Sequence, residues 1–147
     1  MDLKKINSKQ ELKYFILVEL LELEKICFHT FSWNQQQILS HLESNPIYIL
    51  FEAEKIISYL IVTVNLEEVE ILRIATLPIN QKKGYATFLI EELFREFPKH
   101  SFFLEVRSSN IKAISLYEKK GFQKFHIRKK YYENLEDALL LKKEALL

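Results

Sequence analysis

The chain has 147 residues, 48% of them apolar and 28% charged, the proportions of an ordinary globular protein and a length that fits one domain, residues 1–147. Lys and Arg total 21 against 20 Asp and Glu, a net charge of +1, so no global field exists to gather nucleic acid or to coat a membrane. One cysteine, Cys27, excludes an internal disulfide, and His29, His41, His100 and His126 fall at no ligand spacing, so no metal site is expected.

The first stretch, "MDLKKINSKQELKYFILVELLELEKICF", is interrupted by Lys13, Glu19, Glu22 and Glu24. It reaches neither the ~20 apolar residues of a membrane span nor the pattern of a secretory leader, so a cytoplasmic protein is expected. Within it, residues 2–6 read as an edge strand, and Ser8 as the cap of a helix over 9–28. "FSWN" reads as a loop, with Asn34 capping a second short helix.

"IYILFEAEKIISYLIVTVN" holds two β-branched and aromatic runs around Glu54-Lys55, the pattern of a hairpin. A third run, "VEILRIATLP", is stopped by Pro78. A helix over 84–97, a strand "SFFLEVR", a helix over 110–120 and strands over 122–128 and 136–143 complete the chain. An antiparallel meander thus leads into a strand–helix–strand unit whose strands are parallel, an α+β arrangement of mixed sheet and helices.

Two glycines punctuate this order. Gly84 opens a helix whose apolar face carries Leu89, Ile90 and Leu93, yet its first turn offers Lys82 and Lys83 and no acid. The unpaired amides of a helix start with lysines beside them make a phosphate site; a helix start capped by Asn80, with two solvated lysines, is the alternative. Gly121 follows Lys119 and Lys120 as a left-handed helix stop.

The pair of motifs Gln81-x-x-Gly84-x-Ala86 and Asn110-x-x-Ala113-x-x-Leu116-Tyr117-x-x-x-Gly121-Phe122 resembles the Gcn5-related N-acetyltransferase (GNAT) superfamily. "LEVRSSN", "AISLYEKKGF", "RKKYY" and "EDALLL" resemble within it the RimI type, which acetylates the N-terminal alanine of a small-subunit ribosomal protein. Ala86 stands where many relatives carry glycine and Thr76 where valine is usual.

The resemblance implies the layered α/β/α GNAT fold, a mixed sheet of seven strands with a central parallel pair and four flanking helices. It implies acetyl-CoA as co-substrate, with Ile74, Ala75 and Thr76 along the pantetheine arm and the amides of Lys82, Lys83, Gly84, Tyr85, Ala86 and Thr87 around the pyrophosphate. It implies Glu105 as the base and Tyr117 as the acid that protonates the leaving thiolate. Glu105 can instead be a carboxylate paired with Arg107 or another basic neighbour, Tyr117 a core residue, and Asn110 a helix cap, a pantetheine ligand or both. Glu70 is the second carboxylate that can act as base; Trp33, Tyr131 and Tyr132 are candidate groove walls, and Glu136 or Asp137 candidate partners of a cationic peptide. The resemblance implies a ribosomal protein N-terminus as partner, and a monomer is expected, with no membrane and no nucleic acid contact required. A small amine or a lysine side chain is the alternative acceptor, and an acyl-CoA or RNA binding module the alternative without catalysis.

Overall fold

Strand-forming residues dominate the first half of the sheet. In the computed structural model, which describes residues 1–145, β1 (Asp2–Ile6), β2 (Ile47–Glu52) and β3 (Lys55–Val64) pair antiparallel. The turn between β2 and β3 is Ala53–Glu54, both at positive φ (50° and 66°), the backbone twist that two-residue hairpins need. The break expected at Glu54-Lys55 therefore lies one residue earlier, and Lys55 is paired with Glu52. β4 (Glu68–Thr76), β5 (Ser101–Arg107), β6 (Gln123–Arg128) and β7 (Ala138–Lys143) complete a seven-stranded sheet of order β1-β2-β3-β4-β5-β7-β6. Its parallel pair is β4–β5, in register from Glu68–Ser101 to Ile71–Leu104, while β4 runs on to Thr76 and β5 to Arg107.

The four helices are α1 (Tyr14–Phe28), α2 (Gln35–His41), α3 (Tyr85–Glu96) and α4 (Ile111–Lys119). The expected start of α1 at residue 9 is not realised. Lys9–Glu11 form a 3-10 turn, Ser8 makes no side-chain cap, and Leu12 breaks into extended backbone with its side chain buried. Glu11 accepts from the Asn7 amide at 2.8 Å instead. Asn34 caps α2 as expected, with Gln37 returning the bond to form a capping box.

Two compact units share these elements. The first comprises Met1–Val62 and Arg73–Leu93. Its core sets Leu20 of α1 and Ile38 of α2 against Ile47, Ile49, Tyr59 and Ile61 of the sheet, all fully buried. The second comprises Thr63–Leu72 and the chain from Phe94 onward. There the strict alternation of β5 buries Phe102, Leu104 and Val106 on one face. Phe94 meets Phe102 edge-on at 4.8 Å, and Tyr117 of α4 meets Phe122 at 5.7 Å. The other face of β5 carries Phe103, Glu105 and Arg107.

Candidate active site

The residues expected around the coenzyme lie in the first unit. After β4, Pro78–Asn80 form a 3-10 turn, so Asn80 is part of that turn rather than the cap of α3. Gln81 Nε2 donates to the Thr76 carbonyl at 3.2 Å, folding the loop back on the strand end. Lys82 (φ 65°) and Gly84 (φ 86°) both take left-handed backbone, a conformation glycine adopts without the Cβ penalty. α3 begins at Tyr85, and its first helical bond runs from the Phe88 amide to the Gly84 carbonyl at 2.9 Å. The amides of Tyr85, Ala86 and Thr87 precede it, the positions left without intrahelical acceptors at a helix start.

No acid occupies the first turn of α3, and a Cβ built on Gly84 would meet no heavy atom within 4 Å. Open space, three amides and two lysines are what an anionic phosphate requires, so these residues fit the pyrophosphate of acetyl-CoA. The Tyr85 hydroxyl turns away to donate to Glu52 Oε2 at 3.0 Å. Along the strand end the Ala75 and Thr76 carbonyls already have protein donors. Ser58 Oγ donates to Ala75 O at 2.7 Å and lies 2.9 Å from Thr76 Oγ1, and Cys27 Sγ lies 3.8 Å from Thr76 O. The Ala75 carbonyl keeps a second lone pair, whereas the Thr76 carbonyl has both Gln81 Nε2 and Cys27 Sγ beside it.

A buried polar cluster supports that strand end. Glu24 of α1 is fully buried; its carboxylate accepts from the Tyr59 hydroxyl and from the Trp33 amide (2.7 Å), and lies 3.4 Å from Arg73 Nε. Arg73 also donates to the Phe31 carbonyl and stacks on the Phe28 ring at 4.1 Å. Burial and the Glu24 charge push the Tyr59 phenol far up. Sequence reading passed over Glu24, Tyr59 and Arg73, since a glutamate among leucines in α1 carries no sign of a partner on β4. Trp33, expected as a groove wall, is held by its amide to Glu24 and by its ring beside His41 at 5.6 Å.

The second unit holds Glu105, Tyr117 and Asn110. Glu105 and Glu70 line one cavity of about 230 Å³ with Glu68, Arg128, Phe103 and Phe125. Phe125 reaches it because the β6–β7 register slips between Lys124 and His126, a bulge that sets its ring 6.0 Å from Phe103. Glu105 Oε1 pairs with Arg128 Nη1 at 3.1 Å, so its basic neighbour is Arg128; Arg107 pairs with Glu136 at 3.7 Å. Glu70, paired in register with Phe103, is on the cavity face of the sheet. Burial first, then the Glu105 charge, raise its carboxyl above the ordinary range, with Arg128 opposing. Among the described residues no group of three or more His, Cys, Asp and Glu is placed to hold a metal ion.

The loop between β6 and β7 flanks this cavity. Tyr131 and Tyr132 meet edge-on at 5.2 Å, with the Arg128 guanidinium over Tyr131 at 5.2 Å and Arg107 over Tyr132 at 3.8 Å. Burial and then the Glu105 charge push the Tyr132 phenol up. Glu136 is committed to the fold: it accepts from the Ser109 amide at 2.7 Å and from Asn134 at 3.3 Å. Asp137 likewise accepts from the Lys130 amide at 2.9 Å. Asn110 realises its capping role, accepting from the Ala113 amide at 3.3 Å. Tyr117 and Asn110 lie outside the cavity lining; Tyr117 is 6% exposed, and burial pushes its phenol up to about 12.

Residues 16–122 match the family model described as the acetyltransferase (GNAT) family. The chain is 33% identical over 120 residues, 77% of its own length and 81% of the relative's, to the ribosomal protein bS18-alanine N-acetyltransferase of Escherichia coli K12. It resembles the crystal structure of the ribosomal-protein-S18-alanine N-acetyltransferase from Escherichia coli with a TM-score of 0.84 at 28% identity, covering 99% of this chain and 96% of that one. A GNAT family acetyltransferase from Elizabethkingia anophelis with acetyl-CoA bound gives a TM-score of 0.73 at 20% identity, with 97% of each chain covered, a likeness of fold.

Proposed function

The chain belongs to the GNAT acetyltransferase family, and on that premise we propose that it moves an acetyl group from acetyl-CoA to the N-terminal α-amine, an alanine, of a small-subunit ribosomal protein. The observation that carries the acceptor reading is the cavity in which Glu105, Glu70 and Arg128 stand together beside the Tyr131–Tyr132 pair. The 33% identity to the bS18-alanine enzyme supports the choice of an alanine N-terminus over other amines. Residues 16–122 run through both units, which supports reading 1–147 as one catalytic domain. Among the described residues no helix is long and apolar enough to cross a membrane, and a cytoplasmic site of action fits a ribosomal substrate.

Acetyl-CoA supplies an electrophilic thioester carbonyl carbon. Amides from Lys82 to Thr87 hold its pyrophosphate, and backbone of Ile74, Ala75 and Thr76 orients the acyl end. The acceptor enters largely as ammonium, because an α-amine has a reference pKa of about 7.7–8.0. Glu105 takes that proton, directly or through water, with Glu70 as the second carboxylate on the same face. The freed lone pair forms the N–C bond as the C–S bond breaks. Tyr117, which keeps its proton at neutral pH with a pKa of about 12, donates to the leaving sulfur.

The test is thiol release from acetyl-CoA in the presence of a short alanine-terminated peptide, with the same peptide already acetylated as control. Release with the free amine alone is expected. Release with neither, alongside intact acetyl-CoA binding, would discard the N-terminal acceptor and leave a small amine or lysine side chain.

A further inference from the structure

Arg128 reaches the cavity from β6, the last strand of the sheet order. Its guanidinium lies 3.1 Å from Glu105 Oε1, yet its side chain is 46% exposed. The aromatic face of Tyr131, 5.2 Å away, offers it a second resting place. Around it the cavity presents Glu68, Glu70 and Glu105. A positively charged amine placed at Glu105 would take the same oxygen, the same charge and the same space that Arg128 holds.

We propose that Arg128 is a positioning residue that stands in for the acceptor's ammonium in the free enzyme and competes with whatever occupies the cavity. The proposal rests on the N-acetyltransferase reading of this site. Three carboxylates line this cavity with one arginine among them, and Glu70, raised first by burial and then by the Glu105 charge, is partly held down by Arg128. Exchange of guanidinium for ammonium keeps the charge of the cavity constant, so an amine enters without leaving Glu105 and Glu70 in unbalanced repulsion. Acetylation removes the charge from the occupant. The neutral product cannot satisfy Glu105, and the returning guanidinium helps to expel it. Arg128 thereby acts at both ends of the cycle without touching the reacting atoms.

The stand-in makes a prediction that simple long-range charge does not. Arg128→Ala removes a competitor of every occupant. The acceptor KM and the inhibition constant of the acetylated peptide should therefore fall by the same factor, about threefold, the worth of a half-exposed ion pair. Arg128→Lys restores wild-type values, and the KM for acetyl-CoA stays unchanged in both variants. Tightening of the free amine alone would make Arg128 a remote charge and overturn the proposal. Weaker binding of the amine would make Arg128 a direct acceptor ligand and overturn it equally. A wild-type protein that transfers acetyl to no peptide removes the catalytic reading, and calorimetric titration of the free and acetylated peptides into both proteins then decides the role of Arg128 by the same comparison.

Discussion

Tyr117 carries its hydroxyl on a helix face that is almost closed to solvent, where the charged form of a phenol is disfavoured and the pKa rises to about 12. Thiols ionise near 8.5, well below this phenol, so Tyr117 acts on the departing sulfur chiefly as a hydrogen-bond donor to the developing thiolate. Tyr117→Phe keeps the ring against Phe122 and removes the donor; kcat should fall roughly 10²-fold with the KM for acetyl-CoA unchanged, measured by thiol release. Wild-type turnover in that variant would remove Tyr117 from the chemistry. Glu136 illustrates the opposite shift: hydrogen bonds from Ser109, then from Asn134, and the Arg107 charge hold its carboxyl near 2. A depressed carboxylate contributes stability above its ordinary value, 4.5 here, and loses that contribution as pH falls toward 2. A carboxyl titration followed by NMR should show Glu136 with its midpoint near 2, and faster amide exchange at Ser109 over the same range. The sequence singled out both residues, but it offered Glu136 to a peptide. Its true partners, Ser109 and Arg107, belong to the β5–α4 corner, and only the return of β7 beside β5 brings them within reach.

At the scale of elements, local chemistry made much of the order legible, and it failed where a side chain chose an unexpected partner. Asn34 announces α2 because its cap is local, and the structure adds Gln37 to close a capping box within four residues. Ser8 misled because Glu11 satisfies the Asn7 amide and Leu12 turns into the core, which postpones α1 to Tyr14. The two glycines sit at opposite ends of helices and separate shape from binding. Both have positive φ, and a Cβ at Gly121 would come to 3.4 Å of Lys143, whereas one at Gly84 would meet open space. Each alanine substitution should cost about 1 kcal/mol of stability from left-handed backbone alone. Gly121→Ala should leave the KM for acetyl-CoA intact, while Gly84→Ala should raise it as well, since its new methyl projects where phosphate is expected. Equal effects of the two on that KM would remove Gly84 from the cradle.

For the molecule as a whole, a net charge of +1 sets expectations that no single site can. The basic stretch "RKKYY" lies where β6 ends, with Arg128 paired to Glu105 and acids Glu136 and Asp137 following close behind it. Single-stranded RNA should therefore show no salt-dependent binding at a Kd of about 10⁻⁶ M in a filter assay; such binding would revive a nucleic-acid role. The antiparallel meander, the parallel pair and the turn at Gly84 were legible because each rests on a short motif or a strand period, whereas the insertion of β7 between β5 and β6 was not. The cluster of Glu24, Tyr59 and Arg73 was not, because its members come from α1, β3 and β4. Burying one member of such a set without the others costs about 3–5 kcal/mol. A chain still being synthesised thus has no favourable place to dock α1 until β4 has left the ribosomal exit tunnel. The amino-terminal half must wait, undocked, for the arginine that completes it.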